Sequence, residues 1–507
     1  MRRPATRRPV AWPTLVVELA LLLLATWFVL RLNPTGFGGG PFDDQRYFDA
    51  ARAWLAHPPL VGKTHWELRH PLILPLALLF RFMGATIATA LWVPIAAALM
   101  FAATNFAAIR QAAGSRVAWI WALLLLTTPL FLRIGTSIFP EIIELLFTSV
   151  ALWALWFGRQ VRRPALLFAL SGVCTALAML TRETASWLLI VHAACLIFRP
   201  GTRRIEYLWL FGFAAAPLLI EWAWLFRATG DSLYRLHVAM RHVLIPSAHM
   251  AGGVAHVDHV LFNPAVGRLW VSPGLFHIHW ALNPLLGLFA DPKYGAAIWM
   301  AILFALLPIR GGRRGGTGRS VLVVPALLVI ALSFAFVTYA LMVSQDQRYY
   351  TLPLAGIALV AALLADRQWQ AARRALVAVA VGAVVVGNLA LASQLGRFDR
   401  VANAALPLVR TTPGPIHTLP VIAAQLREPL AEAGLVGRLV TNPARRGDLL
   451  LIVQDSAGDC AGGAPLPAGQ TLLGCRMADR PLHWLPRQLP ARLTKSGARA
   501  LLVRVTA

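Results

Sequence analysis

The sequence predicts an all-α polytopic membrane protein of about eleven transmembrane helices, followed by a small α/β domain outside the membrane. Three observations carry that expectation. Hydrophobic residues make up 58% of the 507 positions and charged residues only 14%. A soluble core could not bury that much apolar surface, so the bilayer is the alternative solvent. The formal charge of +25 lies mostly in short arginine clusters between apolar runs, the pattern in which the positive-inside rule writes topology, and no nucleic-acid partner is expected. From Gly396 onward the composition turns to Pro, Gly and charged residues with shorter apolar runs. This divides the chain into a membrane domain, 1–395, and a soluble extracytoplasmic domain, 396–507.

Taken in order, Arg2, Arg3, Arg7 and Arg8 precede an apolar run from about Pro13 to Leu32. That run is as long as a full span and no small-residue cleavage site comes after it, so it is expected to be retained with the N-terminus cytoplasmic. The external loop 33–85 comes next, and Pro71 to Met83 within it is too short to span, which reads as a re-entrant or interfacial helix. Further spans are expected from Thr86 to Ile109, Val117 to Leu132, up to about Gly158, Pro164 to Leu180, Glu183 to Phe198 and Ile205 to Phe226. Arginine-bearing turns mark the inner side between them.

A second external stretch, 228–294, holds seven of the thirteen histidines. His256 with His259, and His277 with His279, have pairings that neutral imidazoles offer to a transition metal. No His-Glu-x-x-His or cysteine-pair spacing accompanies them, and the stretch reads better as an amphipathic loop closing over a cavity. The remaining spans run from Gly295 to Ile309, Ser320 to Val343, up to Ala365, and Ala375 to Ala392. The glycines of RGGRRGGTGR lack a following Lys-Ser/Thr and do not make a phosphate loop. In the tail, Pro420 to Ala433 has helical spacing, while DLLLIVQD and ALLVRV read as buried strands. Cys460 and Cys475 both fall there, and a disulfide between them is expected if the domain faces an oxidising compartment.

The candidate chemistry lies in the external turns. Asp43 and Asp44 open a stretch, DDQRYFDAARAWL, with helical spacing, and a helix start favours ionised acids. Such acids serve as a general base or hold a divalent cation; solvated acids capping an interfacial helix account for the spacing equally well. Glu141 follows Pro140, and Glu144 lies one turn on, so both share a face at the outer membrane surface. A helix-start acid complementing the dipole is the alternative there.

DDQRYFDAARAWL followed by ELRHPLILPLALLFRFMG resembles the first external loop of GT-C glycosyltransferases, in particular the PMT and ArnT-like group. The shared pattern is an acidic pair, two residues, Tyr47, a helix, and a basic residue before proline. The resemblance implies that Asp43 is catalytic. Asp44 stands where the family usually has Glu, and His70 where the residue before proline is often Lys, with donor contacts implied for it. Glu141 corresponds to the acid often found in the second external loop. Arg182 in TRETAS sits in the short hairpin that often carries a basic residue, where a cation facing the outer cavity suits a lipid phosphate and an Arg182–Glu183 pair is the alternative. Arg348 and Tyr349 match an Arg-Tyr before a late span, implying contact with the donor phosphate, for which the guanidinium fork is suited; an aromatic-belt tyrosine beside an interfacial arginine is the alternative. The likeness covers roughly 13–395 and leaves the tail unaccounted for.

The function this implies is transfer of a sugar, hexosyl or pentosyl, from a polyprenyl-phosphate-linked donor to a glycan, lipid or protein acceptor on the outer face of the cell membrane, with inversion. A divalent cation, Mg or Mn, held by Asp43, Asp44 or Glu141 is one option for assisting the leaving phosphate; acids of this kind also act without metal. Two other classes compete: a transporter or flippase of a lipid-linked sugar, and a non-catalytic GT-C-like subunit. Transporters more often place their charges in mid-membrane helices and carry inverted repeats, and no repeat is evident here.

Overall fold

The computed structural model describes residues 12–32, 36–37, 43–198, 201–241, 285, 288–289, 292–308, 322–340, 347–392, 400–456, 460, 466, 469–477 and 497–506. The histidine pairs His256 with His259 and His277 with His279 lie outside the described residues.

The membrane domain begins with α1 (Trp12–Leu32), α2 (Asp43–Ala56), α3 (His70–Met83), α4 (Ile87–Ala113), α5 (Ser115–Leu126), α6 (Pro129–Gly135), α7 (Glu141–Gly158) and α8 (Ala165–Thr181). It continues with α9 (Trp187–Phe198), α10 (Tyr207–Thr229), α11 (Tyr234–Arg241), α12 (Pro292–Leu306), α13 (Val323–Ala335), α14 (Thr351–Gln370) and α15 (Arg374–Ala392). Among the described residues, six helices are long and apolar enough to cross a bilayer (α1, α4, α7, α10, α14 and α15), and the bent pair α5–α6 makes a seventh path. Shorter apolar helices, among them α3, α8 and α13, fill the space between them. The outward faces stay apolar: Leu21, Leu24 and Phe28 on α1, and Leu208, Leu219 and Ile220 on α10, are exposed. Apolar surface on that scale is bilayer-facing, and the protein is a multi-pass membrane protein.

The single helix expected from Val117 to Leu132 is instead broken, and α5 and α6 meet at 77°. The cause is local. Pro129 at the first turn of α6 holds Thr128 in an extended conformation (ψ 142°), and the Thr128 hydroxyl caps α6 by accepting from the Phe131 amide. The bend leads the chain into the turn before α7, and Phe139 and Glu141 arrive beside Arg348. The short helix expected from Pro71 to Met83 is present as α3, whose Leu72, Ile73, Leu76 and Phe80 are buried while Leu78 and Phe82 face outward.

The tail adds α16 (Arg400–Thr411), α17 (Pro420–Glu432) and five strands, β1 (Ile416–Thr418), β2 (Leu439–Val440), β3 (Leu449–Ser456), β4 (Gln470–Met477) and β5 (Gly497–Val505). The sheet order is β2-β1-β3-β5-β4. β1 pairs parallel with β2 and β3, and β5 runs antiparallel between β3 and β4. Val409, Ile416, Leu426, Leu451 and Leu502 form its core. A disulfide joins Cys460 to Cys475, tying the chain beyond β3 to β4.

Candidate active site

Three helix ends and one short turn bring the charged residues together. Asp43 is the first residue of α2 and Glu141 the first of α7, the ends at which the dipole favours an anion. Arg182 follows the last residue of α8, the end that favours a cation. Arg348 lies in the 3-10 turn Gln347–Tyr350 that leads into α14.

These residues form a chain of alternating charge. The Arg348 guanidinium donates to Asp43 Oδ2 at 2.7 Å, and its Nε lies 3.3 Å from Glu141 Oε1. Arg182 donates to that same Glu141 oxygen at 2.7 Å and lies 3.8 Å from Glu144, which in turn accepts from the Thr184 hydroxyl at 2.6 Å. Aromatic rings flank both guanidinium groups. Arg182 stands 4.1 Å from the Tyr349 ring centre and Arg348 4.6 Å from that of Phe139. Glu141 and Arg182 are each only 5% exposed, so their pairing is made where water screens it little.

Asp43 has a second anchor that the sequence pattern does not single out. Trp66 donates from its indole nitrogen to Asp43 Oδ1 at 2.9 Å, while the Arg46 guanidinium lies 3.9 Å from the centre of the Trp66 ring. Burial works to raise the Asp43 carboxyl, but the charge and hydrogen bond of Arg348, with Trp66 and Arg69, outweigh it and hold the group below the ordinary carboxylate range. Behind it, Arg69 donates to the hydroxyl of Tyr47. Burial pushes the Tyr47 phenol above its usual value, so it remains a neutral hydroxyl.

The other expected residues fall into different places. Asp44 is fully buried beside Asp43. The Arg348 guanidinium lies between Asp43 and Glu141, and among the described residues no group of three acidic, histidine or cysteine side chains is arranged to hold a metal ion. His70 belongs to a neighbouring cluster, with Nδ1 2.6 Å from Glu221 Oε1 and its ring edge-on to both Trp54 and Trp224, which also meet each other. Arg235 organises that cluster. It donates to both Glu221 oxygens, to Glu183, and to the carbonyls of Leu68 and Leu180. Glu183 therefore pairs with Arg235, which answers the Arg182–Glu183 alternative: Arg182 is committed to Glu141.

The charged chain borders a cavity of mixed character. Glu141, Glu144, Arg182, Arg348 and Tyr349 line it together with Leu145, Trp187, Val337, Leu352 and Pro353. Such a wall offers ionic partners to a head group and apolar contact to a hydrocarbon chain attached to it.

Residues 70–225 match the family described as dolichyl-phosphate-mannose-protein mannosyltransferase. No curated protein sequence matches the chain at a significant level. Among solved structures, ArnT from Cupriavidus metallidurans in the apo state is similar at 13% identity and TM-score 0.46, over 87% of this chain and 93% of that one. The same protein bound to undecaprenyl phosphate gives 12% and 0.48 over the same shares. The oligosaccharyltransferase AglB from Archaeoglobus fulgidus, in complex with an inhibitory peptide and a dolichol-phosphate, gives 13% and 0.47 over 86% of this chain and 65% of that one. The family match begins at His70 and runs through Glu141 and Arg182 to Leu225 within α10.

Proposed function

We propose that this protein is a membrane glycosyltransferase that takes a sugar from a polyprenyl-phosphate donor and attaches it to an acceptor hydroxyl at the outer face of the cell membrane. The observation that carries the reading is the cavity whose lining divides between the cations Arg348, the partner of Asp43, and Arg182 and the apolar side chains Leu145, Val337 and Leu352. A lipid-linked phosphate has that same division between an anionic head and an apolar chain.

In this reading the donor phosphodiester, with one negative charge, sits against Arg348 and Arg182. The acceptor oxygen forms a bond to the anomeric carbon while the bond from that carbon to the phosphate oxygen breaks. The acceptor proton passes to Asp43, and the electron pair leaves with polyprenyl phosphate. Charge therefore grows on the phosphate as the bond breaks, and cations fixed at that point stabilise the transition state more than the bound donor. Attack from the face opposite the leaving phosphate inverts the anomeric centre. Asp43 is a weak base while Arg348 and Trp66 hold it. A donor phosphate that shares Arg348 would loosen that hold and raise the basicity of Asp43 at the moment the donor is in place.

Placement of the charges at helix ends and turns supports a transferase over a flippase, because Asp43, Arg182 and Arg348 lie at one end of the membrane helices. The tail contacts α2 and so lies on that side, which supports an extracytoplasmic C-terminal domain and a cytoplasmic N-terminus. The test is to incubate the purified protein in nanodiscs with a panel of polyprenyl-phosphate sugars and candidate acceptors. Release of polyprenyl phosphate with sugar transfer is expected; movement of intact donor between leaflets with no transfer would contradict it.

A further inference from the structure

The membrane domain and the tail meet along a polar seam on α2. Gln45, Asp49 and Arg52 stand four and then three residues apart, which puts them on one face of that helix. All three are engaged by two consecutive residues of α17. The Gln45 amide donates to Glu428 Oε1 at 3.2 Å, Arg52 pairs with Glu428 Oε2 at 2.8 Å, and Arg427 pairs with Asp49 at 2.7 Å. One turn further on, Glu432 accepts from the backbone N–H of Ile87 at the start of α4. Glu428 is only 3% exposed, and a carboxylate removed from water in this way requires the donors facing it. The face of α2 toward the membrane domain carries Tyr47, Phe48 and Ala51, all buried. α2 is thus gripped from both sides. Its 14 residues are about the length at which a helix is marginal alone, so its position is set by what packs on it.

From this seam we infer that the C-terminal domain is a clamp on α2, and that Glu428 is a positioning residue that fixes where Asp43 stands opposite Arg348. Gln45, one of its partners, is two residues from Asp43. The clamp rests on the reading of Asp43 as the base, and it gives the tail a part in the reaction without contact with substrate. Removing the Glu428 side chain leaves Arg52 with access to water, since that side chain is 39% exposed, so what is lost is the hold on α2 rather than the fold of either domain.

The test uses the full-length protein in nanodiscs, comparing wild type, Glu428→Ala, Arg52→Glu, and the exchanged pair Arg52→Glu with Glu428→Arg. Gln45 can meet an arginine through its amide oxygen, so the exchanged pair keeps the contacts of residue 428 with Gln45 and with residue 52 in reversed sense, while the contacts of Arg427 with Glu428 and of Arg52 with the Ala85 carbonyl are given up. Two quantities are read: amide hydrogen exchange across 43–56, and kcat against the donor KM. Glu428→Ala and Arg52→Glu are expected to speed exchange in α2 and to lower kcat about ten-fold, the scale of a misplaced reacting group. The donor KM should stay within about two-fold, because the donor contacts lie on other elements, and the exchanged pair should restore both readings. Unchanged exchange in Glu428→Ala, or a loss that the exchanged pair does not mend, would overturn the clamp. If α2 loosens and is mended as expected while Asp43→Asn transfers sugar like wild type, the clamp stands and the reading of Asp43 falls.

Discussion

Arg348 donates to Asp43 at 2.7 Å across 305 positions of sequence. The pair joins the start of α2 to the turn before α14, and Arg348 also reaches Glu141. One guanidinium group thus sets the state of the proposed base and forms part of the proposed phosphate site.

Arg348 serves two acids by using two edges of its planar fork, which an ammonium group cannot reproduce. Arg348→Lys is expected to lower kcat about ten-fold, and Arg348→Ala about a hundred-fold or more, with weaker donor binding in both. Steady-state kinetics with a transferred donor checks this, and a lysine variant with wild-type kinetics would show that the fork is dispensable.

Glu141 bridges two arginines through one oxygen, at 2.7 Å and 3.3 Å. Glu141→Gln leaves two neighbouring guanidinium groups short of a buried counter-charge, and a loss of about 3 kcal/mol is expected, with Glu141→Asp losing less. Thermal unfolding in detergent measures it. A Gln variant as stable as wild type would mean that the pairing contributes little beyond its geometry.

Much of this architecture is legible in the sequence, for physical reasons that differ by element. Long apolar runs and arginine clusters give membrane helices because the bilayer leaves few alternatives, and α1, α4, α7, α10 and α14 are where those runs place them. The break at Thr127–Thr128 escapes the hydropathy pattern, although Pro129 marks it, because hydropathy averages over a single proline. β4 escapes it because Leu472 and Leu473 are both exposed at a sheet edge and show no alternation. In the site, Asp43, Glu141, Arg182 and Arg348 come together. Trp66, Arg69 and Arg235 carry no mark in the sequence, since an indole bonded to a carboxylate and an arginine spanning four segments leave no local pattern. The polar stripe Gln45, Asp49, Arg52 is visible as a period, but its partner lies more than 370 residues away.

Asp43 supplies a pH signature. Its folded-state value lies below the ordinary carboxylate value of about 3.9, so the stability it contributes is fully present above that value and is lost as pH falls through the folded-state value. The difference in melting temperature between wild type and Asp43→Asn is therefore expected to be constant from pH 8 to about 5 and to shrink only below about 4. A difference that shrinks already near neutrality would show that Asp43 is not held ionised by Arg348.

The tail disulfide closes a loop with a sequence separation of 15, for which the chain-entropy argument gives about 3 kcal/mol. Thiol labelling of native protein is expected to spare Cys460 and Cys475 until reductant is added. Replacing both with serine should lower the unfolding temperature of the tail, and labelling of both without reductant would contradict the bridge.

In the proposed reaction Asp43 accepts the proton of the attacking hydroxyl. The most direct measurement is the single-turnover rate of sugar transfer by wild type and Asp43→Asn, at saturating donor, with donor binding measured separately on the same samples. Donor affinity within a few-fold of wild type and a transfer rate lower by about a thousand-fold are expected, the scale of a lost general base. Transfer by Asp43→Asn at the wild-type rate would contradict that role for Asp43.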